Sequence, residues 1–404
     1  MSTNYHLRAW LIWLIAAIFY LYEFIHRVII SVMIPELSAA FNVSSVQIGS
    51  LSAAYFFAYA FAQIPVGILI DRYGTRILLT IACITIALSS WAFAFTSDIY
   101  VANYCRIFIG LASAFAFVAC LKLAANWFPA HRFAFVVGLT NLLGVIGGVL
   151  GGQPLANAVD TFGWREVMFA SAIIGAFITI LIWSIIRDDA QKEKRPTTKK
   201  HKFWHNIHNV IQHKQTWLIA IFAGCMVAPI VTYSELWGVS YLSSIYNLPR
   251  PQAAYISTLT FIGIAIGGPT IGWLSDYYRN RTAFMGIGML GALISISLIL
   301  FGPIFPLWFI CFLHMLFGFF TSSMLLSFSL NSEETPPKIR ATTVAFTNSI
   351  IMLSGAGLQT FSGFLLDHTY HNYNLSFVPL ILCYIVAIVC YKYIIEPPCK
   401  FCEE

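Results

Sequence analysis

Apolar runs of about twenty residues recur from residue 9 to residue 395, and a soluble fold cannot bury so many. A helix needs roughly 20 mostly apolar residues to cross a bilayer. Twelve candidate spans are present: 9–34, 45–70, 77–96, 99–126, 133–157 and 166–186, then 216–242, 252–275, 283–301, 306–331, 341–366 and 377–395. Only 10% of residues are charged, against 59% hydrophobic and a mean hydropathy of +0.77. A water-facing surface needs about a quarter charged residues, so most of this surface must face lipid. Membrane strands alternate polar and apolar over about 10 residues, whereas 77–95 is continuously apolar. The sequence therefore predicts an all-α polytopic membrane protein. The first run has no small-residue cleavage site and is read as a retained helix.

Lys and Arg set the expected orientation. With the N-terminus in the cytoplasm, 18 of them fall in inside segments, two (Arg165, Arg250) outside, and three (Arg27, Arg106, Lys122) within spans. Both termini are therefore expected to be cytoplasmic. The net charge of +6 follows from topology and calls for no nucleic-acid partner. Residues 187–214 form the one long polar interruption, a basic linker between six-helix bundles at 1–186 and 215–404. His201, His205 and His208 share a helical face there, and an amphipathic surface helix explains them better than a metal site. Seven cysteines lie in or near apolar spans as small hydrophobes. Cys399 and Cys402 form a single C-x-x-C, half of what a zinc site usually needs. No metal or cofactor is expected.

The halves repeat. G67-I-L-I-D71-R72-Y-G74-T75-R76 answers to G272-W-L-S-D276-Y-Y-R-N-R281, Thr140–Asn141 to Thr347–Asn348, Gln153 to Gln359 and Asp160 to Asp367, all at offsets of 205–207. A parallel duplication of a six-helix unit is a known transporter plan. These landmarks resemble the major facilitator superfamily over essentially the whole chain. The loop at 67–76 is similar to its G-x-x-x-D-R-x-G-R-[KR] motif, with Thr75 at a usually basic position. The copy at 272–281 is weaker. Arg106 and Gly110 match the helix-4 R-x-x-x-G pattern, and G147-G148-V-L-G151-G152 is similar to the helix-5 G-P-x-x-G-G. The resemblance implies a conformational gate at Gly67, Asp71, Arg72, Gly74, Arg76, Gly272, Asp276 and Arg281. Asp71 would then pair with a basic residue or helix N-terminus of the opposite half; an ordinary solvated turn is the alternative. Gly147, Gly148, Gly151 and Gly152 would permit close helix packing.

The resemblance also places helices 1, 4, 7 and 10 around a central cavity. With loop-end residues set aside, Glu23, His26, Arg27, Arg106, Lys122, Glu235 and His314 are the charged or titratable residues within spans, and all fall on those four helices. Charges inside a membrane are tolerated facing a wet cavity or paired within a bundle. Glu23 and Arg27 are spaced to meet on one face of helix 1. Arg27 would hold a carboxylate or phosphate, with Glu23, helped by His26, exchanging a proton. A packing ion pair is the competing reading. Arg106, Tyr233, Glu235 and His314 complete the expected set for substrate binding or proton coupling. Lys122 is read as snorkelling. Tyr20, Tyr55, Tyr59, Gln63, Asn141, Gln153, Asn348 and Gln359 are further polar candidates.

No G-x-x-x-x-G-K-[ST] loop and no hydrolytic triad is visible, so no enzyme is expected and an ion gradient is the ordinary driver. The leading expectation is a monomeric, proton-coupled symporter of an inner or plasma membrane, importing a small anionic or zwitterionic metabolite such as an organic acid or amino acid. An exporter of organic cations or drugs, using Glu23 and Glu235, and a transport-dead sensor remain open alternatives.

Overall fold

The computed structural model describes residues 3–188, 208–336 and 339–396. His201, His205, Cys399, Cys402 and most of the expected linker lie outside the described residues. Among the described residues, eleven helices are long and apolar enough to cross a membrane, and Ser45–Tyr73, bent by 60° at Pro65, makes a twelfth when its two parts are taken as one span. In chain order the spans are α1 (Leu7–Val32), α2 (Ser45–Tyr73), α3 (Thr75–Phe95), α4 (Ile99–Trp127), α5 (Phe135–Phe162) and α6 (Trp164–Ile185). The second set is α7 (Lys214–Tyr246), α8 (Arg250–Tyr277), α9 (Arg281–Phe301), α10 (Leu307–Glu334), α11 (Thr342–His368) and α12 (Tyr373–Tyr393). The all-helical expectation holds: among the described residues there is no strand.

Local chemistry sets the ends of these helices. The Asp98 carboxylate accepts from the Tyr100 amide at 2.7 Å to start α4, and Asn280 accepts from the Ala283 amide at 2.8 Å to start α9. Gly74, at φ +82°, turns the chain sharply between α2 and α3. Asn247, left-handed at φ 51°, closes α7. Two spans change winding midway. Tyr233–Trp237 of α7 is a π-helical turn, and Ser322–Met324 of α10 is a 3-10 turn. Such interruptions recur at functional positions.

The chain divides into two compact units. One comprises Met1–Val43 and Ala54–Thr198, the other Ser44–Ala53 and Lys199–Glu404. In the first, α1 packs on α4, α5 and α6, and α3 packs on α4 and α6. In the second, α7 packs on α11 and α12, and α10 on α8 and α9. Close backbone approach fixes equivalent crossings in each. A Cβ on Gly110 would stand 2.2 Å from the Tyr55 carbonyl oxygen, and one on Gly318 1.9 Å from that of Thr260. Only glycine lets α4 meet α2, and α10 meet α8, at that separation.

The first turns of α2, Ser44–Ala53, group with the second unit for a specific reason. The Ser45 and Val46 amides donate to the Asp367 carboxylate at 2.8 and 2.9 Å. Gly363 admits the Ser45 carbonyl, whose oxygen would lie 2.5 Å from an added Cβ. Asp367 thus satisfies amides that the start of any helix leaves without an intrahelical partner.

Candidate functional site

In the first unit, a buried polar group forms where α1, α2 and α4 meet. Glu23 is almost fully buried and accepts a short hydrogen bond from the Tyr55 hydroxyl of α2. Arg106 of α4 is fully buried: its Nη1 donates to the His26 carbonyl at 2.7 Å, and its guanidinium lies 4.9 Å from the centre of the Tyr55 ring. One arginine thereby ties α4 to α1 and stacks on the residue that holds Glu23.

Arg27 is placed differently. It is half-buried, and its guanidinium sits 5.1 Å from the Phe24 ring centre and 5.2 Å from that of Phe56. The two rings brace the planar group. Glu23 and Arg27 share one face of α1, as their spacing requires. His26 points elsewhere. Its Nδ1 lies 3.0 Å from the Tyr22 carbonyl, which only accepts, so that nitrogen carries the proton. Its Nε2 meets the Ser90 hydroxyl at 2.9 Å and that of Ser171 at 3.1 Å, on α3 and α6. The structure therefore brings Glu23, Arg106 and Tyr55 together and turns His26 to the other side of α1.

In the second unit, the π-helical turn of α7 presents Tyr233 and Glu235, both buried. The Tyr233 hydroxyl is 3.1 Å from His314 Nε2, and His314 Nδ1 is 2.7 Å from the Ile310 carbonyl. Because that carbonyl only accepts, Nδ1 carries a proton, and Nε2 shares a hydrogen bond with the Tyr233 hydroxyl. Beside them, Ser234 donates to Thr260 of α8 at 3.1 Å, and the Gln359 amide donates to the Val231 carbonyl at 2.7 Å. Tyr233, His314 and Glu235 thus fall in one neighbourhood of α7 and α10.

The sequence matches the family model of the Major Facilitator Superfamily over residues 12–241 and again over 236–400. The chain belongs to this superfamily. Its apolar helices are those of a multi-pass membrane protein. Among its relatives are an uncharacterized transporter, YybO, and a hexuronate transporter, both of Bacillus subtilis strain 168. They are 27% and 26% identical, over 64% and 66% of this chain. The chain spans only 63% and 64% of those two relatives' length. A probable sulfoacetate transporter, SauU, of Cupriavidus necator is 22% identical over 70% of each chain. Among solved structures, a bacterial homolog of the human lysosomal transporter Spinster superposes with a TM-score of 0.74 at 17% identity. That match covers 98% of this chain and 95% of the other.

The superfamily's loop motifs can now be located. Asp71, at the end of α2, forms an ion pair with Lys122 of α4, within its own unit. The Arg72 guanidinium lies over the Tyr73 ring. Arg76 donates from Nη2 to the Trp183 carbonyl at 2.7 Å and stacks 4.0 Å from that indole. Next to it, the Asp188 carboxylate accepts from the Thr75 amide at 2.8 Å and the Arg76 amide at 3.2 Å. Thr75, at the usually basic position, serves here through its backbone. The copy in the second unit is built alike. Glu396 accepts from the Arg281 and Thr282 amides at 2.7 and 3.0 Å and from the Thr282 hydroxyl at 2.6 Å. Burial pushes the Glu396 carboxyl up, but those donors outweigh it and hold it below the usual carboxylate range. Arg281 also reaches Glu333 of α10 at 2.8 Å and Asp276 at 3.6 Å.

Cβ atoms on Gly67 and Gly272 would meet nothing within 4 Å. The helix-5 glycines differ. A Cβ on Gly147 would stand 2.6 Å from the Leu21 carbonyl oxygen, and one on Gly151 2.3 Å from Val28. These two let α5 lie against α1; Gly148 is buried beside them, and Gly152 caps the helix Gln153–Phe162. Sequence reading did not single out Ser90, Ser171, Asp188, Glu333 or Glu396. Ser90 and Ser171 carry no spacing signal, since their partner lies on another helix. Asp188 and Glu396 were findable, because each stands just past the last helix of its repeat, 208 residues apart.

Proposed function

We propose that this chain is a proton-coupled symporter that takes a small organic anion or zwitterion into the cytoplasm by alternating access. The observation that carries the reading is Arg27: a partly accessible guanidinium, braced between two rings in mid-span, beside a buried carboxylate. A charge so placed needs a wet face or a partner, and a planar fork suits a carboxylate. Relatives named for hexuronate and sulfoacetate support an anionic substrate.

Arg27 is assigned to the substrate's carboxylate and Glu23 to the proton, with Tyr55 holding Glu23 in place. Arg106 positions Tyr55 and α1, and His26 packs α1 on α3 and α6. Tyr233, Glu235 and His314 are assigned to substrate binding or proton coupling within the second unit. The loops around Asp71 and Arg281 are assigned to the conformational change. The reading carries with it a monomer in an inner or plasma membrane, both termini cytoplasmic, and bundles at 1–186 and 215–404 joined by 187–214.

The test is uptake of organic acids into proteoliposomes under an imposed inward proton gradient. The gradient should drive accumulation, Arg27→Ala should abolish it, and Glu23→Gln should leave exchange while removing accumulation. Accumulation that survives both substitutions would sink the assignment.

A further inference from the structure

Two arginines of the first unit meet where α6 ends beside the start of α3. Arg76 donates to the Trp183 carbonyl from Nε at 3.0 Å and from Nη2 at 2.7 Å. Arg187 donates from Nη1 to the same carbonyl at 3.0 Å and to that of Ile186 at 2.9 Å. Two guanidiniums therefore share one acceptor oxygen. The end of α6 attracts them, because the last carbonyls of a helix have no intrahelical partner. Their mutual repulsion is the cost, and a carbonyl offsets it with a partial charge only. Asp188 brings a full negative charge, but it is directed at the Thr75 and Arg76 amides. Two arginines and one aspartate leave this corner with a local charge of +1.

The second unit treats its equivalent corner differently. Glu396 caps α9 as Asp188 caps α3, yet Ile395 precedes Glu396 where Arg187 precedes Asp188. Arg281, in the place of Arg76, is met by the Glu333 and Asp276 carboxylates at 2.8 and 3.6 Å. One repeat thus brings anions to its arginine, and the other brings a second cation. The setting of that second cation is lipid-like. The Arg76 guanidinium stacks 4.0 Å from the Trp183 indole, which is 51% exposed. Ile77 and Ile81 of α3 and Ile180 of α6 are exposed along the spans that start there. An open indole at the end of a span sits at headgroup level, and open aliphatic side chains below it face acyl chains.

We infer that Arg76 and Arg187 form a headgroup site for an anionic phospholipid, with its phosphodiester on the two guanidiniums and its chains along Ile77, Ile81 and Ile180. Their bonds to Trp183 and Ile186 use Arg76 Nε and Nη2 and Arg187 Nη1. Among the described residues, Arg76 Nη1 and Arg187 Nη2 take no part in those bonds, and both side chains are partly exposed. A guanidinium fork matches a phosphate, and basic clusters at the ends of membrane helices hold anionic headgroups. The local charge of +1 suits a phosphodiester whose headgroup carries no ammonium of its own. The site is independent of the substrate and proton assignments above; the orientation proposed there puts it in the cytoplasmic leaflet.

The experiment titrates lipid into the full-length protein in detergent and measures binding by thermal stabilisation. The probes are phosphatidylglycerol, phosphatidylcholine with the same acyl chains, and glycerol 3-phosphate as a phosphate without chains. Phosphatidylglycerol should bind about tenfold more tightly than phosphatidylcholine, and glycerol 3-phosphate should not stabilise at the same concentration. Arg187→Gln should remove that preference and leave the lipid-free melting temperature near that of the parent, because Arg187 bonds only the end of its own helix. Arg76→Gln is the second variant. Arg132→Gln, which removes an exposed charge at the start of α5, should keep the preference. Phosphatidylcholine binding as tightly as phosphatidylglycerol overturns the site, as does a preference that survives both Arg187→Gln and Arg76→Gln. A preference lost equally in Arg132→Gln reduces it to diffuse surface charge and overturns it too. Equal stabilisation by glycerol 3-phosphate would make it a site for free phosphate and overturn the lipid assignment.

Discussion

The two units use one scaffold for opposite chemistry. At the spacing of 208 that relates Gly110 to Gly318, Arg106 falls on His314 and Arg27 falls on Glu235. The scaffold is retained. Each glycine stands where an added Cβ would clash with a neighbouring backbone carbonyl, and the residue four positions earlier reaches α1 or α7 of its own unit. The chemistry has diverged. The first unit holds a buried guanidinium against a carbonyl and a phenol ring, with a second guanidinium half-open beside it. The second holds a buried imidazole–phenol pair and a glutamate side chain. Duplication thus preserved the positions from which side chains reach inward and left their charge free to change.

The sharpest way to break that comparison is to exchange the ligand positions. Arg27→Ala should lower uptake efficiency more than 100-fold, since losing a charge-paired contact to an anion costs about 3 kcal/mol. Glu235→Gln should change it less than tenfold. Initial rates in proteoliposomes decide this, and equal losses would mean that Glu235 matters to uptake as much as Arg27 does.

Stability separates the buried pair of equivalents. Arg106→Met removes a charge-assisted bond to the His26 carbonyl and the stacking on Tyr55, leaving that carbonyl buried in a region of low dielectric. The cost should be about 3 kcal/mol. His314→Leu removes one hydrogen bond to the buried Tyr233 hydroxyl, for about 1 kcal/mol. Thermal unfolding in detergent should rank Arg106→Met well below His314→Leu.

Much of this architecture was legible before any coordinates, and the reason is physical. A bilayer imposes one length and one polarity on every span, so the runs at 77–96 and 283–301 anticipate α3 and α9 to within two residues. Intramembrane charge is costly, so Glu23, Arg27, Arg106 and Glu235 stood out by rarity alone. Direction around the helix was less legible. His26 is adjacent to Arg27 in sequence yet turns to α3 and α6, because one residue's step rotates a side chain by about 100°. Lys122, read as snorkelling, is partly exposed and also meets Asp71, a contact that depends on how α4 crosses α2. The beginning of α2 joins the second unit through Asp367, which no spacing within the first repeat announces.

The capping carboxylates offer a smaller and symmetrical contrast. Asp188→Ala and Glu396→Ala should each cost about 1 kcal/mol, as for loss of an N-terminal helix cap. The Glu396 contribution also carries a pH signature. Its carboxyl lies below its unfolded value, so its stabilisation is present above an unfolded pKa of about 4.3 and is lost as pH falls through the folded value. The gap in melting temperature between the parent and Glu396→Ala should be full at pH 7 and shrink below about pH 4. A gap independent of pH would show that Thr282 and the start of α9 need only the shape of the side chain.

The smallest expected effect distinguishes the two loop ion pairs. Asp71 and Lys122 are 65% and 39% exposed, whereas Glu333 and Arg281 are 36% and 21% exposed. Exposed pairs contribute little, because water screens them and two long side chains must be held in one geometry. The Asp71–Lys122 coupling should therefore be about 0.3 kcal/mol, and the Arg281–Glu333 coupling about 0.8 kcal/mol. Double-mutant cycles with Asp71→Asn, Lys122→Gln, Glu333→Gln and Arg281→Gln measure both. Salt should reduce the first more than the second, since the Debye length falls to about 3 Å at 1 M and acts chiefly on exposed charge. If Asp71–Lys122 instead couples more strongly than Arg281–Glu333, exposure does not govern these loops. The first unit's loop would then be the tighter clasp, and the two units would differ there as sharply as they do at Arg27 and Glu235.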